Sequence, residues 1–353
     1  MLRAARLVFR PTVQQNIRMP HTVLVTGATG FVGSHVAEAL ARRGDTVRTL
    51  ARATSDTKQL EALGVQVVRA DLTDPGALKS AVEGCDAVVN CAAKVGDWGP
   101  VDGYRAVNVE GLRNLFDAVL GRPLHRFVHV SSLGVYAARH HYATDETEPL
   151  PDNHIDGYTQ SKVEAERLAL QYHRKQQVPV VIVRPGFVYG PGDRTVLPRL
   201  AARLKERSVI YIARGRFALN TTYVGNIADA ALLALDAPAE ACVGEVFNIT
   251  DGEFVSKRRF FETVADGLGL KRPRGFPPVP VWLARMMANW REGVFRRRNA
   301  PNPPRITQAQ LKFAGLNLDF SIAKARTKLG YTPRVMFNEG MKRALEWYKS
   351  ANV

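Results

Sequence analysis

The chain is short of cysteine, short of acid relative to base, and has no long apolar run; each shortage closes off a class of protein. Across 353 residues no stretch of about eighteen consecutive apolar residues occurs, so no membrane-spanning helix is expected. Three cysteines, Cys85, Cys91 and Cys242, stand without pair spacing. That argues against a disulfide framework and a zinc site, and fits a reducing, cytoplasmic compartment. The eight histidines show no ligand spacing either. His125 and His129 are four apart, but they border the strand-like "RFVHVSS", where that spacing does not place them on one helical face. No metal is expected. Acids number 33 against 49 bases, a net charge of +16. Such a charge attracts nucleic acid, anionic lipid or an anionic cofactor, and its plainest reading is general surface basicity. No RNA-recognition or zinc-finger pattern is present, so no nucleic-acid partner is expected; a binder driven by charge alone stays as a rival reading. Residues 1–18, "MLRAARLVFRPTVQQNIR", carry four arginines and no acid, superficially like a transit peptide. Pro11 interrupts the helical pattern and Met19 directly precedes the first strand. A disordered extension, or an upstream start codon, is the expectation.

What is present suffices for a core: 46% apolar and 23% charged residues describe a globular chain. "HTVLVTG" (21–27) is a β-branched run ending in glycine, and reads as a buried strand. "FVGSHVAEALARRG" has helical spacing and stops at Gly44. "DTVRTLAR", "VQVVRADL", "CDAVVNCAA", "HRFVHVSS" and "VPVVIVRPG" supply five more strands, with helices over 55–63, 75–83, 102–120 and 157–176 between them. Strands alternating with helices imply right-handed βαβ units and a parallel sheet covered on both faces. After Pro185 the rhythm changes: a helix near 196–206, "VIYIA" as a strand, a helix over 226–237, the strand "GEVFNIT", then a mostly helical stretch over 256–350. The expected fold class is α/β, an open, doubly wound, mostly parallel sheet over 19–185. A smaller substrate-binding cap follows over 186–353, with 218–250 returning to the sheet.

Strand one ends in "TGATGFVGSH", with Gly27, Gly30 and Gly33 spaced G-x-x-G-x-x-G before the first helix. Glycine permits the tight turn, the close approach of backbone to a pyrophosphate and the tight packing of helix on strand. The free N–H groups opening the helix then face the phosphates. A glycine-rich turn alone is common; after the first strand and before the first helix it points to dinucleotide binding through Gly27, Thr29, Gly30, Phe31, Val32 and Gly33. Tyr158 and Lys162, in "DGYTQSK", are i and i+4 on a helix. The spacing is frequent by chance, but an ammonium beside a phenol favours the phenolate and makes it a usable base.

The order "GATGFVGSH", "ADLTDP", "NCAAKVGDW", "NVEGLRNL", "VSSLGVY", "YTQSK", "RPGFVYGPGD" resembles the extended short-chain dehydrogenase/reductases, the NAD-dependent epimerase/dehydratase superfamily, over nearly the whole chain after Met19. The resemblance implies a Rossmann-type domain. It also implies that Ser132, with Ser131 the alternative, and Tyr158 hydrogen-bond the reacting oxygen. Lys162 would hold the nicotinamide ribose and lower the pKa of Tyr158, and Asn108, in "NVEG", would match a helix asparagine linked to a proton relay. Asp71 and Leu72 resemble adenine contacts, Ala92 and Ala93 would lie along the cofactor backbone, and Pro185 and Val188 match the nicotinamide-side loop. The second strand ends in Ala51 and Arg52, with no acid to bind a ribose 2′-hydroxyl. The planar fork of Arg52 suits a 2′-phosphate, so NADP is expected over NAD.

The catalytic set fixes the reaction type, a hydride transfer between nicotinamide and a secondary alcohol or ketone. Thr-Asp-Glu, usual in sugar-nucleotide dehydratases, is replaced here by "SSLGVY". Sugar-nucleotide epimerases and reductases remain open, as does a non-catalytic NADP-binding protein. "VFNITDGEFVSKRRFFETVADGLGL", "VPVWLARMM" and "FSIAKARTKLGYTPRVMFNEGMKRALEWY" resemble the 3β-hydroxysteroid and sterol-4-carboxylate dehydrogenases, with the dihydroflavonol reductases nearby, and favour a sterol-like substrate. Oxidising a 4-carboxysterol at carbon three gives a β-keto acid, which loses carbon dioxide without a dedicated residue. Asp97, Trp98, Arg194, Tyr223 and Asn226 are expected on the substrate side. In 279–298, Trp282, Leu283, Met286, Trp290 and Val294 fall near one helical face, among arginines. That face either packs inward as a lid over the pocket or lies on an anionic membrane. A homodimer through the helices flanking the sheet follows from the resemblance.

Overall fold

Thr22–Thr26 (β1) is a β-branched run in which Val23, Leu24 and Val25 have no exposure at all, so only a strand with neighbours on both edges and cover on both faces accommodates it. In the computed structural model of this chain the described residues are 21–96, 98–273, 281–298 and 307–351, with backbone only for 281–285 and 296. The expected extension over 1–18 lies outside them, as does Asp97.

Further strands follow in chain order: β2 (Thr46–Ala51), β3 (Gln66–Arg69), β4 (Ala87–Asn90), β5 (Arg126–Val130), β6 (His141–Thr144), β7 (Val180–Pro185), β8 (Phe187–Tyr189), β9 (Thr221–Tyr223), β10 (Val246–Ile249) and β11 (Leu318–Phe320). Seven form one parallel sheet in the order β10-β7-β5-β4-β1-β2-β3. The chain runs outward from β1 to β3, then jumps back to β4 on the other side of β1. That reversal opens a crevice at the carboxyl ends of β1 and β4, the place where open α/β sheets bind ligands. Helices Phe31–Arg42, Val224–Asp236 and Ala323–Leu329 cover one face; Pro75–Ala81, Gly111–Val119 and Gly157–Gln176 cover the other. The sheet is thus doubly wound, and its two apolar layers meet the alternate side chains of each strand. Val23 and Val25 face one way and Leu24 the other.

A third apolar cluster, built from Tyr189, Leu197, Leu200, Phe260, Phe337 and Met341, forms the cap. The parallel pair β8–β9 adjoins it, and β6 pairs with β11. Three local expectations are corrected. "VIYIA" is not a strand: it pairs with no strand among the described residues, and Ile212–Gly215 is a tight turn with Ala213 and Arg214 at φ of 49° and 58°. The helix expected over 102–120 is three pieces, Val101–Arg105, a π-helical turn at Ala106–Glu110, and Gly111–Val119. In the helix Val281–Arg297 the described apolar residues Met286 and Trp290 do not pack inward as a lid: they are 57% and 70% exposed, whereas Ala288 and Glu292 are buried. The side chains of Trp282 and Leu283 are outside the described residues.

Candidate active site

The glycine loop lies at the crevice. Gly27 has φ +71°, and a Cβ there would stand 2.8 Å from the Ala92 backbone. A Cβ on Gly33 would stand 2.2 Å from the Gly27 carbonyl oxygen, so the helix start packs directly on the end of β1. Gly30 caps the helix in an extended conformation and offers no side chain, which leaves the opening N–H groups of Phe31, Val32 and Gly33 without a side-chain cap. These features fit the diphosphate of a dinucleotide: a wall without Cβ atoms and an uncapped helix N-terminus with no acid in its first turn. Thr29 sits in the same turn. Behind it, the Thr26 hydroxyl donates to Asn90 Oδ1 at 2.5 Å and accepts from the Ala92 N–H at 3.3 Å, which pins Ala92 and Ala93 beside the loop. Asn90 Nδ2 meets His129 Nδ1 at 3.0 Å, and burial, then Lys162, holds that imidazole well below its usual pKa and so neutral.

Along the same edge, Arg52 is exposed after β2, with no bond to its guanidinium among the described residues, and Arg69 braces the Arg52 and Ser55 carbonyls at 3.2 and 2.9 Å. Asp71 Oδ1 accepts from the Thr73 N–H and hydroxyl, which shapes the turn after β3, and the Leu72 carbonyl accepts from Asn114. Pro185 ends β7, and Val188 lies in β8 opposite Thr222.

Ser132 follows β5, and its Oγ accepts from the Gly134 N–H at 3.0 Å. Asp156 caps the long helix Gly157–Gln176, whose first turn carries Tyr158 and whose second carries Lys162. Burial pushes the Tyr158 phenol up to about 12 and Asp156 adds to the rise, while a hydrogen bond with Ser132 opposes it. The structure therefore brings Ser132 and Tyr158 together. Ser131 Oγ is buried without a partner among the described residues. Lys162 Nζ donates to the Val130 carbonyl at 2.8 Å. Burial pulls this ammonium down to about 8, with Glu166 and Cys91 holding it up. Burial, Asp156 and Ser132 move the Tyr158 phenol, while Lys162 Nζ is turned to the strand end. The side chain of Asn108, in the π-helical turn, accepts from the Lys94 N–H at 2.7 Å, donates to the Lys94 carbonyl at 3.0 Å, and donates to Ser161 Oγ at 2.8 Å. Ser161 in turn donates to the Tyr158 carbonyl at 2.7 Å. Asn108 thus ties the loop after β4 to the helix that carries Tyr158 and Lys162.

Two substrate expectations are corrected. Tyr223 is buried against Tyr189, its N–H donating to Asp251 at 2.7 Å. Asn226 is saturated by Asp251 and by the backbone of Arg334 and Val335. Both hold the C-terminal segment to the sheet. Arg194 is exposed beside Asp193, which caps the helix Val196–Lys205. The Trp98 carbonyl accepts from Tyr104, whose ring meets the Tyr158 ring edge-on at 6.3 Å.

Two groups escaped the sequence reading. Arg184 and Glu166 form a buried ion pair at 2.6 Å, and Arg184 also donates to the Tyr136 hydroxyl. The signal was an arginine closing an apolar strand and a glutamate four places after Lys162. Lys312 donates to the Gly134 and Tyr136 carbonyls at 2.6 and 3.0 Å, fixing the turn that carries Ser132; no local pattern marks it. Lys312 also lines a cavity of about 550 Å³ with Ala138, Ile155, Asn289, Glu292 and Gln308. Ile155 lies three residues before Tyr158. The volume is of the size that takes small molecules.

A doubly wound sheet, an uncapped glycine loop at its reversal point and a hydroxyl pair beside a buried lysine define a dinucleotide-dependent oxidoreductase class. The family model described as NAD dependent epimerase/dehydratase matches residues 23–250, and the chain belongs to that family. It is 30% identical to a 4-hydroxy-2-methyl-3-oxo-4-farnesyl-3,4-dihydroquinoline-1-oxide ketoreductase from Stigmatella aurantiaca, over 90% of this chain and 93% of that protein. It is 33% identical to a 3 beta-hydroxysteroid dehydrogenase/Delta 5-->4-isomerase from Mycobacterium tuberculosis, over 93% of this chain and 90% of that one. The crystal structure of gox2253 superimposes with a TM-score of 0.78 at 30% identity, covering 94% of this chain and 99% of that one.

Proposed function

We propose that this protein transfers hydride between NADP and the carbinol or carbonyl carbon of a 3β-hydroxysteroid- or sterol-like substrate. The observation that carries the reading is the hydroxyl pair of Ser132, in the turn after β5, and Tyr158, on the helix Gly157–Gln176, with Lys162 anchored at the end of β5 and the glycine loop on the same edge. Nicotinamide, when bound, gives or takes the hydride. Tyr158 holds the proton exchanged with the substrate oxygen, Ser132 orients that oxygen, and Lys162 offers an ammonium to the ribose. A phenol raised to about 12 is protonated at neutral pH, which suits proton donation in the direction of ketone reduction. Arg52, exposed and unpaired among the described residues, supports the choice of NADP. The sterol-like class is supported by the 3β-hydroxysteroid relative and by a second relative named for a farnesylated 3-oxo substrate. Pairing of two copies through the sheet-flanking helices is part of the proposal, and light scattering reads it.

The test offers NAD and NADP separately with a panel of 3β-hydroxysteroids, and the matching 3-ketones with the reduced cofactors. Nicotinamide absorbance is followed for wild type and Tyr158→Phe. Turnover that the variant loses while still binding NADP is the expected result. Silence with every steroid, with NADP bound normally, refutes the substrate class and brings nucleotide sugars next.

A further inference from the structure

The helix Val281–Arg297 is amphipathic in the reverse sense. Its inward side carries Ala288, 1% exposed, and Glu292, 7% exposed, and Asn289, Glu292 and Gly293 line the 550 Å³ cavity. Its outward side carries Met286, Met287 and Trp290 at 57, 45 and 70% exposure, with Arg291, Arg297 and Arg298 exposed alongside. A helix packed on a water-facing surface puts such residues the other way round. The one acid between Met286 and Arg298 is Glu292, and it is buried, so the outward side is apolar and cationic with no negative charge. None of the three arginines has an acidic partner among the described residues. Ile210 and Phe313, on the two neighbouring segments, are also exposed, at 49 and 42%.

We infer that this face docks on an anionic lipid bilayer, Met286, Met287 and Trp290 entering the headgroup boundary and Arg291, Arg297 and Arg298 meeting lipid phosphates and carboxylates. A second copy of the chain fits poorly. A two-fold contact would set this patch against itself and bring the arginine clusters together without a counter-charge. A partner must be apolar and anionic over the same few turns of helix, which is the chemistry of an anionic membrane surface. Docking would also hold the roof of the cavity against the phase in which apolar molecules dissolve. The inference concerns the outer face of one helix and is independent of the reaction proposed above.

Co-sedimentation of the full chain with vesicles of phosphatidylcholine, alone or mixed with phosphatidylserine, tests it. Binding to the mixed vesicles, weakened by salt and absent with phosphatidylcholine alone, is expected. Met286→Ser/Trp290→Ser and Arg291→Glu/Arg298→Glu should each lower the partition coefficient at least about tenfold. NADP binding and the unfolding midpoint should be unchanged, which shows that the variants are folded. No binding to mixed vesicles overturns the inference. So does equal binding by the variants, which would place attachment elsewhere, the basic 1–18 segment included. A concentration-dependent dimer that Met286→Ser/Trp290→Ser converts to monomer, without lipid binding, would assign the face to a second copy and overturn it equally.

Discussion

Glu166→Leu removes the one carboxylate that Arg184 faces at close range among the described residues. The guanidinium Nη2 lies 2.6 Å from Oε2, and Nε lies 3.0 and 3.1 Å from the two oxygens. The side chains are 5% and 1% exposed, so water cannot replace the lost partner. Only the Tyr136 hydroxyl at 2.8 Å, and the face of its ring, would remain against the charge. Stranding a buried cation in this way costs about 3–5 kcal/mol, a large share of the roughly 5–15 kcal/mol that holds a domain folded. Urea unfolding followed by circular dichroism should show the midpoint falling with little change in slope. The double variant Glu166→Leu/Arg184→Met should return to within about 2 kcal/mol of wild type, because an apolar pair no longer strands a charge. A second consequence reaches the active site. Glu166 is one of two groups that hold the Lys162 ammonium up near 8. Without it Lys162 loses its proton at lower pH, so NADP affinity should begin to fall at lower pH than in wild type. A single variant that loses less than about 1 kcal/mol, or a double variant that is worse than either single one, refutes the reasoning about the pair.

Other outcomes follow from single sites. Gly33→Ala drives a Cβ into the Gly27 carbonyl, so NADP affinity measured by fluorescence should drop at least about tenfold, for a strain of about 1–3 kcal/mol; normal binding would refute the close packing. Arg52→Ala should weaken NADP about tenfold and leave NAD unchanged, read by paired titrations; equal losses would refute a 2′-phosphate role. Ser132→Ala removes the hydrogen bond that pulls the Tyr158 phenol down. It should cut kcat by roughly 10²–10⁴ and move the ascending limb of the oxidative pH profile to higher pH, since oxidation needs the phenolate. Burial pulls Lys257 down to about 7, below an unfolded value of about 10.4. Between these values the unfolded chain holds the extra proton, so stability relative to Lys257→Met should rise with pH by about 1.4 kcal/mol per unit. A flat or falling difference would show that Lys257 is charged in the fold.

The central strands were legible because each is a short β-branched run buried on both faces, and the glycine loop because its spacing falls between a strand and a helix. Motif order pointed to Ser132, Tyr158 and Lys162, and the structure brings the elements that carry them to one edge. The misreadings share a cause. A local pattern records which residues are apolar, not which surface will receive them. "VIYIA" alternates well enough for a strand, yet no edge awaited it, and only Tyr211 found burial, against Phe261. Tyr223 and Asn226 looked like polar residues near a site, but Asp251 and the backbone at 334–335 claim them. The stripe in 279–298 predicted amphipathicity but left its direction open, because periodicity has no sign; Met286 and Trp290 turn outward. The π-helical turn at Asn108 had no sequence mark, since it answers to bonds with Lys94 and Ser161 on other elements.

Lys312 gives the fold an order in time. Ser132, Tyr158 and Lys162 are all translated by residue 162, yet the turn bearing Ser132 is clamped by a residue 150 positions later. The strand β11 that pairs with β6 beyond that turn comes later still, at Leu318–Phe320. A nascent chain whose seven strands are all made, by Ile249, still lacks the two Lys312 bonds to the turn that bears Ser132. On that geometry the turn bearing Ser132 is expected to be fixed only after Lys312 has been made, later than the glycine loop and the sheet that frame the dinucleotide crevice.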